Sequence, residues 1–199
     1  MIILIDNYDS FSFNLWQLLG TLLLDQAEGG EPEEIRVLRN DALTAEAVKA
    51  LAPSRIVLSP GPGRPAAAGI CVSLVQAVPH IPLLGVCLGH QAVCEAYGAT
   101  VSYALELLHG KSSSATLDRD CRLFTGLPER IEAGRYHSLA AVDPTLPDCL
   151  QVTARTADGE IMAVAHRSLP HYGVQFHPES ILTPLGADIV RNFLALPAG

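Results

Sequence analysis

The segment Gly85-Val86-Cys87-Leu88-Gly89 puts a potential nucleophile between two glycines, where an apolar run gives way to a helical pattern. A G-x-nucleophile-x-G turn bends the chain so tightly that side chains on either flank would clash, and glycine avoids the clash. The bend has two chemical consequences. Cys87 lies at a helix N-terminus, where free N–H groups and the helix dipole favour a thiolate. The N–H of Leu88 points to where an oxyanion would form on an attacked carbonyl. Taken alone, the pentapeptide also fits a buried structural cysteine. Among the other cysteines, Cys94 falls inside the following helix and reads as core, while Cys71, Cys121 and Cys149 read as core or loop thiols.

A thiol nucleophile needs a base, and the base needs a carboxylate to fix its tautomer. Of seven histidines, one has an acid two positions on in a rigid setting: Gln175-Phe176-His177-Pro178-Glu179-Ser180. Pro178 keeps this segment out of helix. In extended backbone, positions i and i+2 point the same way, so His177 and Glu179 can lie side by side at a strand end. His-Pro-Glu alone would also suit a surface turn. His90 competes by adjacency but reads as a packing or hydrogen-bonding residue, and His137 in Arg135-Tyr136-His137-Ser138-Leu139 reads as a pocket residue. His80, His109, His166 and His171 read as satisfied polar residues near loops.

The third chemical element is the loop Ser59-Pro60-Gly61-Pro62-Gly63. Its prolines stiffen it and its glycines permit unusual backbone angles or close ligand approach. No Gly-Lys-Ser/Thr follows, which argues against a phosphate loop. A second oxyanion donor fits better. Pro62 has no N–H, so the donor is Gly61 or Gly63.

Positioning these pieces requires a particular scaffold. Short apolar runs at 2–5, 35–38, 55–58 and 81–86 read as strands, and helical spacing over 12–24, 41–51, 69–78 and 89–97 separates or follows them, with Thr44 a helix cap. This order predicts a single α/β domain over 1–199, with a largely parallel, doubly wound sheet and helices on both faces. After Gly98, short alternating segments at 99–103, 113–117, 131–136, 150–156, 161–166 and 172–175 predict strands, several of them antiparallel, and 184–196 predicts a closing helix. A small antiparallel C-terminal sheet should therefore accompany the parallel one. Ligands of such open sheets bind at the carboxyl ends of the strands, where the glycine loop sits.

Composition narrows the function. The 199 residues are 49% hydrophobic and 17% charged, enough apolar material for a sizeable core. Thirteen Lys and Arg against 21 Asp and Glu give a net charge of −8 with no basic run, which argues against nucleic acid or an anionic membrane surface as partner. No apolar stretch approaches the ~20 residues that span a bilayer. The apolar start Met1–Ile5 lacks a basic flank and reads as a strand, not a signal peptide. An odd count of five cysteines without a CxxC pair, and no metal-ligand spacing, point to a reducing cytoplasm and no metal on this chain.

Assembled, these motifs resemble the class I (triad) glutamine amidotransferases: Ser-Pro-Gly-Pro-Gly at 59–63, Gly-Val-Cys-Leu-Gly-His-Gln at 85–91 and Gly-Val-Gln-Phe-His-Pro-Glu-Ser at 173–180. Asp6-Asn7-Tyr8-Asp9-Ser10-Phe11, Arg39-Asn40-Asp41, His109-Gly110-Lys111 and Arg135–Leu139 narrow the likeness to the glutaminase subunits of anthranilate synthase and 4-amino-4-deoxychorismate synthase. The resemblance covers essentially the whole chain and implies the flavodoxin-like fold of that family. It implies that Cys87 attacks the side-chain amide of glutamine, that His177 activates Cys87 and protonates ammonia, and that Glu179 orients His177. It further implies that the Gly61-Pro62-Gly63 loop and Leu88 hold the oxyanion, that Gln91 contacts substrate, and that the Ser138 and Leu139 backbone meets the glutamine α-groups.

The resemblance also implies a partner, a chorismate-using synthase subunit that carries magnesium and receives the ammonia; no cofactor is expected on this chain. Asp6–Phe11 would lie towards that partner, or would simply be a helix start capped by Ser10 or Ser12. The rival reading is a stand-alone γ-glutamyl hydrolase of the same fold.

Overall fold

The computed structural model describes residues 1–27, 29–106 and 110–198. Glu28 of an expected polar loop, His109 of the His109-Gly110-Lys111 motif and Gly199 lie outside the described residues. Ile2-Ile3-Leu4-Ile5 is apolar on both faces of an extended chain, and it becomes β1 (Ile2–Asp6), a wholly buried interior strand of the parallel sheet. On either side of it run β2 (Ile35–Arg39) and β3 (Arg55–Leu58), both parallel to it. Next to β3 comes β4 (Leu83–Val86), also parallel.

The helices cover both faces, as right-handed crossovers require. Leu15 and Leu19 of α1 (Phe11–Gln26) and Ile189 and Phe193 of α5 (Gly186–Leu194) fill the core on one side. Val48 of α2 (Ala45–Ala50), Leu74 of α3 (Cys71–Ala77) and Val93 of α4 (Leu88–Ala96) fill it on the other. α2 starts later than the apolar spacing predicts. Thr44 is its cap, with Oγ1 accepting from the Ala47 N–H at 3.2 Å, and 41–43 belong to the preceding turn. Neither Ser10 nor Ser12 caps α1. Ser10 makes no side-chain cap bond, and the Ser12 hydroxyl donates to Asp6 Oδ1 at 2.8 Å.

The late strands are β5 (Val101–Tyr103), β6 (Lys111–Leu117), β7 (Arg130–Arg135), β8 (Leu139–Ala141), β9 (Leu150–Thr156), β10 (Ile161–His166) and β11 (His171–Val174). Among the described residues the main sheet has nine strands, in the order β2-β1-β3-β4-β11-β10-β9-β6-β7. Its first five are parallel, and the last four continue it antiparallel at one edge. The small separate antiparallel sheet is β5 with β8, a strand too short to be read from alternation.

One pairing positions the chemistry. β11 comes from the far end of the chain yet lies in parallel against β4, with Gly173 opposite Gly85 and Val174 opposite Val86. The residues that follow each strand, Cys87 and Gln175, therefore emerge together at the carboxyl edge of the sheet. Among the described residues, no helix is long and apolar enough to cross a membrane.

Candidate active site

The turn after β4 has the predicted strain. Cys87 has φ +52° and ψ −102°, in the left-handed half of backbone space, which a non-glycine residue occupies at a cost of roughly 1–3 kcal/mol. The flanking glycines are required by contact. A Cβ on Gly85 would lie 2.2 Å from the carbonyl oxygen of Gly89, and one on Gly89 would lie 2.4 Å from that of Leu58. The Cys87 N–H donates to the Val174 carbonyl at 2.9 Å, which ties the bend to β11. Cys87 is 7% exposed and stands at the mouth of α4.

The backbone beyond β11 is held as firmly. The His177 N–H donates to the Gly134 carbonyl at 3.1 Å, and its carbonyl accepts from the Thr183 hydroxyl at 2.7 Å. Gly186 lets the chain turn against Pro178, since a Cβ there would lie 1.9 Å from the Pro178 oxygen. On this frame His177 Nδ1 lies 2.7 Å from Glu179 Oε1, and both side chains are almost wholly shielded from solvent. The Cys87 sulfur is near enough to the His177 ring to act on its titration. Burial opposes charge on this ring, but Cys87 and Glu179 overcome it and raise its pKa to about 10. A proton that leaves the sulfur is therefore held on the ring. Glu179 Oε2 has no hydrogen-bond partner among the described residues, so the imidazole is the carboxylate's hydrogen-bonding neighbour.

Cysteine, histidine and glutamate thus come together at one sheet edge, an arrangement that can serve as nucleophile, base and orienter. Beside it is a cavity of about 150 Å³ lined by Gly61, Pro62, Gly63, Cys87, Gln91, Tyr136, His137, Ser138 and Leu139. Nearly every residue that the motifs nominate for substrate contact is on its wall. Leu88 stands apart: it begins α4 directly after the nucleophile, but its side chain packs behind Gly61 and lines the neighbouring cleft. The 59–63 loop is held by Asn7, whose N–H donates to Ser59 Oγ at 2.9 Å and whose side-chain amide donates to the Ser59 carbonyl at 2.8 Å.

The competing histidines separate cleanly. His90 is fully buried, packs on Gly173 and has Nε2 3.8 Å from Cys94 Sγ; burial lowers its pKa to about 3. His137 does line the cavity. Burial, then the Arg135 charge, lower its pKa to about 4, so it is neutral, accepting from Arg135 Nε at Nε2 (3.3 Å) and donating from Nδ1 to the Leu139 carbonyl (3.0 Å).

Three residues of the site carried no role in the sequence reading. Phe11 and Tyr136 both pack against the His177 ring, with centroid distances of 4.9 and 4.8 Å, and against each other at 4.9 Å, so that the three rings form a triangle. Gln175 has Nε2 3.6 Å from Cys87 Sγ. Its signal was present: 175, 177 and 179 share the period-two face that alternates with buried Phe176.

Comparison with known proteins agrees with this geometry. The family model "Glutamine amidotransferase class-I" matches residues 3–196. The chain is 52% identical to anthranilate synthase component 2 of Mycobacterium tuberculosis over 197 residues, 97% of this chain and 81% of that protein. It is 46% identical to the aminodeoxychorismate/anthranilate synthase component 2 of Bacillus subtilis, covering 98% of this chain and 95% of that one. A solved structure from Thermoplasma acidophilum, described as one subunit of a GMP synthase, superposes with a TM-score of 0.82 at 25% identity, covering 97% of this chain and 91% of that one.

Proposed function

Because this chain belongs to the class-I glutamine amidotransferase family, we propose that it releases ammonia from L-glutamine at Cys87 and passes it to a chorismate-using synthase subunit. The observation that carries this reading is the convergence of Cys87 with His177 and Glu179, some 90 residues further along the chain, beside one small polar cavity. That the chain is the amidotransferase subunit of such a pair follows from relatives that match it end to end and carry that description.

In the proposed reaction, His177 takes the Cys87 proton and the sulfur attacks the side-chain amide carbon of glutamine. The Leu88 N–H and that of Gly61 or Gly63 stabilise the oxyanion. The C–N bond breaks as His177 returns the proton to nitrogen, leaving a γ-glutamyl thioester and ammonia. Water, deprotonated by the same ring, then attacks the thioester, and glutamate leaves as the sulfur recovers its proton. Glu179 keeps the ring in the tautomer that faces sulfur throughout. Gln91 contacts the substrate, and the backbone of Ser138 and Leu139 meets the glutamine α-amino and α-carboxylate groups.

The synthase subunit holds the magnesium of the paired reaction and aminates chorismate; anthranilate is the product we assign, with 4-amino-4-deoxychorismate a second product of a shared subunit. The relative named for both activities supports that pairing. Ammonia set free in neutral water would protonate and lose its nucleophilicity, so a route closed by the partner makes chemical sense, and glutamine hydrolysis should be slow until the partner docks. A net charge of −8 fits a partner other than nucleic acid or an anionic membrane, and five free thiols fit the reducing cytoplasm.

The test is Cys87→Ser in the complex with its synthase. Glutamine-dependent synthesis should fall by roughly three orders of magnitude or more, while synthesis from added ammonia persists. A glutamine-like electrophile should label Cys87 of the wild type. Loss of both syntheses would mean that Cys87 acts structurally, and retention of both would overturn the assignment.

A further inference from the structure

We propose that Gln175 is a positioning residue for the nucleophile, its side-chain amide donating a hydrogen bond to the Cys87 sulfur with a polarity set by the carbonyl of Leu139. The proposal rests on the reading of Cys87 as nucleophile and adds a residue to it.

An amide end can face a sulfur with its nitrogen or its oxygen, and the two have opposite effects. A nitrogen donates, favouring the anion; an oxygen repels it. Here the choice is forced from the far end of a chain of bonds. The Leu139 carbonyl can only accept. Gln91 Nε2 lies 2.8 Å from it, so Gln91 presents its nitrogen there. The same nitrogen lies 3.2 Å from Gln175 Oε1, and its second N–H is spent on that oxygen. Gln175 must then turn its own nitrogen the other way, where it meets Cys87 Sγ at 3.6 Å. The Leu139 carbonyl is itself held by His137 Nδ1 at 3.0 Å, which fixes the start of the chain.

The backbone makes the arrangement rigid. The Gln175 N–H donates to the Met162 carbonyl at 2.8 Å, and Gln175 is 0% exposed. It follows Val174, whose carbonyl holds the Cys87 N–H. The sulfur is therefore flanked from one strand end by two side chains, Gln175 and His177, two residues apart. His177 can carry its proton away, whereas Gln175 cannot. Gln175 supplies a donor that stays in place when the ring gives its proton to the leaving ammonia.

The titratable groups about the sulfur are His177 with Glu179 behind it, and Tyr136 and His137 on the opposite cavity wall. The experiment is the pH dependence of iodoacetamide alkylation at Cys87, read by mass spectrometry on the full chain, for wild type, Gln175→Glu and Gln175→Met. Steady-state glutamine hydrolysis is measured alongside, with the synthase subunit present. Both variants should move the alkylation midpoint to higher pH, Glu by about one unit or more because it sets a carboxylate against the anion, and Met by less. Turnover should fall about 10-fold to 100-fold, the range for a lost hydrogen bond to a charged group, with KM within about threefold. An unmoved midpoint in a folded variant, or a rise in KM at constant turnover, would overturn the proposal. Should the Glu variant fail to fold, the near-isosteric Met variant decides the matter. If Cys87→Ser retained glutaminase activity, the nucleophile assignment would fail separately, because the alkylation profile reports on the Gln175–sulfur contact in either case.

Discussion

The ring of Phe11 stands edge-on to that of His177, with centroids 4.9 Å apart and an interplanar angle of 67°. Phe11 is the first residue of α1, and Tyr136 braces the same imidazole from β7's exit at 4.8 Å. The helix that starts in the Asp6–Phe11 segment is therefore in direct contact with His177, the base of the proposed reaction. Phe11→Ala should free the ring to leave the sulfur. We expect glutamine-dependent turnover to fall about tenfold while ammonia-dependent synthesis by the paired synthase is unchanged, since an aromatic pair is worth about 0.5–1.5 kcal/mol. Equal loss of both activities would place the effect at subunit docking instead.

The fold should lose stability on the acid side. His171 is held by Tyr97 Oη at 2.7 Å and the Val78 carbonyl at 3.0 Å, and burial lowers its pKa to about 4. His137 is lowered to about 4 as well. Unfolded, both would titrate near 6.5. Between those values the unfolded chain binds protons that the native state refuses, so stability is present above pH 6.5 and lost as pH falls towards 4. For His171 alone the loss is about 3 kcal/mol at ~1.4 kcal/mol per pH unit. Thermal melts from pH 7 to 4 should show the decline, and His171→Gln should flatten it.

His177 acts in the opposite direction. Its pKa is raised to about 10, so its contribution is complete below pH 6.5 and fades as pH climbs towards 10. Wild-type stability should therefore decline on the alkaline side too, and His177→Gln should remove that part of the decline. An alkaline limb identical in the variant would show that the ring is not held as an ion-pair partner.

Gly85→Ala and Gly89→Ala should not merely slow the enzyme. Their Cβ atoms would lie 2.2 and 2.4 Å from backbone carbonyl oxygens, and backbone cannot give way as a side-chain tip can. We expect each to cost about 3 kcal/mol or more, visible as a large fall in Tm or as insoluble protein. A variant that melts like wild type would show that the turn tolerates opening.

Behind the cavity, Arg135 and Glu160 form an ion pair with both side chains 2% exposed. Burial raises the Glu160 pKa, against the Leu105 N–H and the Arg135 charge, which lower it. Arg135 also donates to His137, which holds the Leu139 carbonyl. Glu160→Ala should cost about 3–5 kcal/mol, because it strands a buried guanidinium. Replacing both partners with Met should recover most of that stability but leave KM for glutamine raised, since the Arg135–His137–Leu139 chain is broken. Recovery of both would make the pair a packing feature only.

The sequence by itself determined the chemistry and most of the scaffold. Apolar runs such as Ile2–Ile5 and the amphipathic pattern of 184–196 are local consequences of burying a strand on both faces or a helix on one, and they were legible as such; the spacing of Phe13, Trp16, Leu19 and Leu23 marked the first helix but not its buried face, since Phe13 and Trp16 are exposed. So were the glycines about Cys87 and the i, i+2 relation of His177 to Glu179, because each depends on a few neighbouring backbone angles. What only the tertiary structure decided is which strands adjoin. Nothing local says that β11 enters the sheet beside β4, yet that pairing brings the thiol to the imidazole across 90 residues of chain. The same holds for β8, three residues defined by its pairing with β5, and for Phe11, whose partners are remote in sequence. Gln175 shows the boundary most clearly. Its face was predictable from alternation, but its polarity is set through Gln91 by a carbonyl 36 positions away, and a directional bond of that kind exists only once the chain has closed on itself.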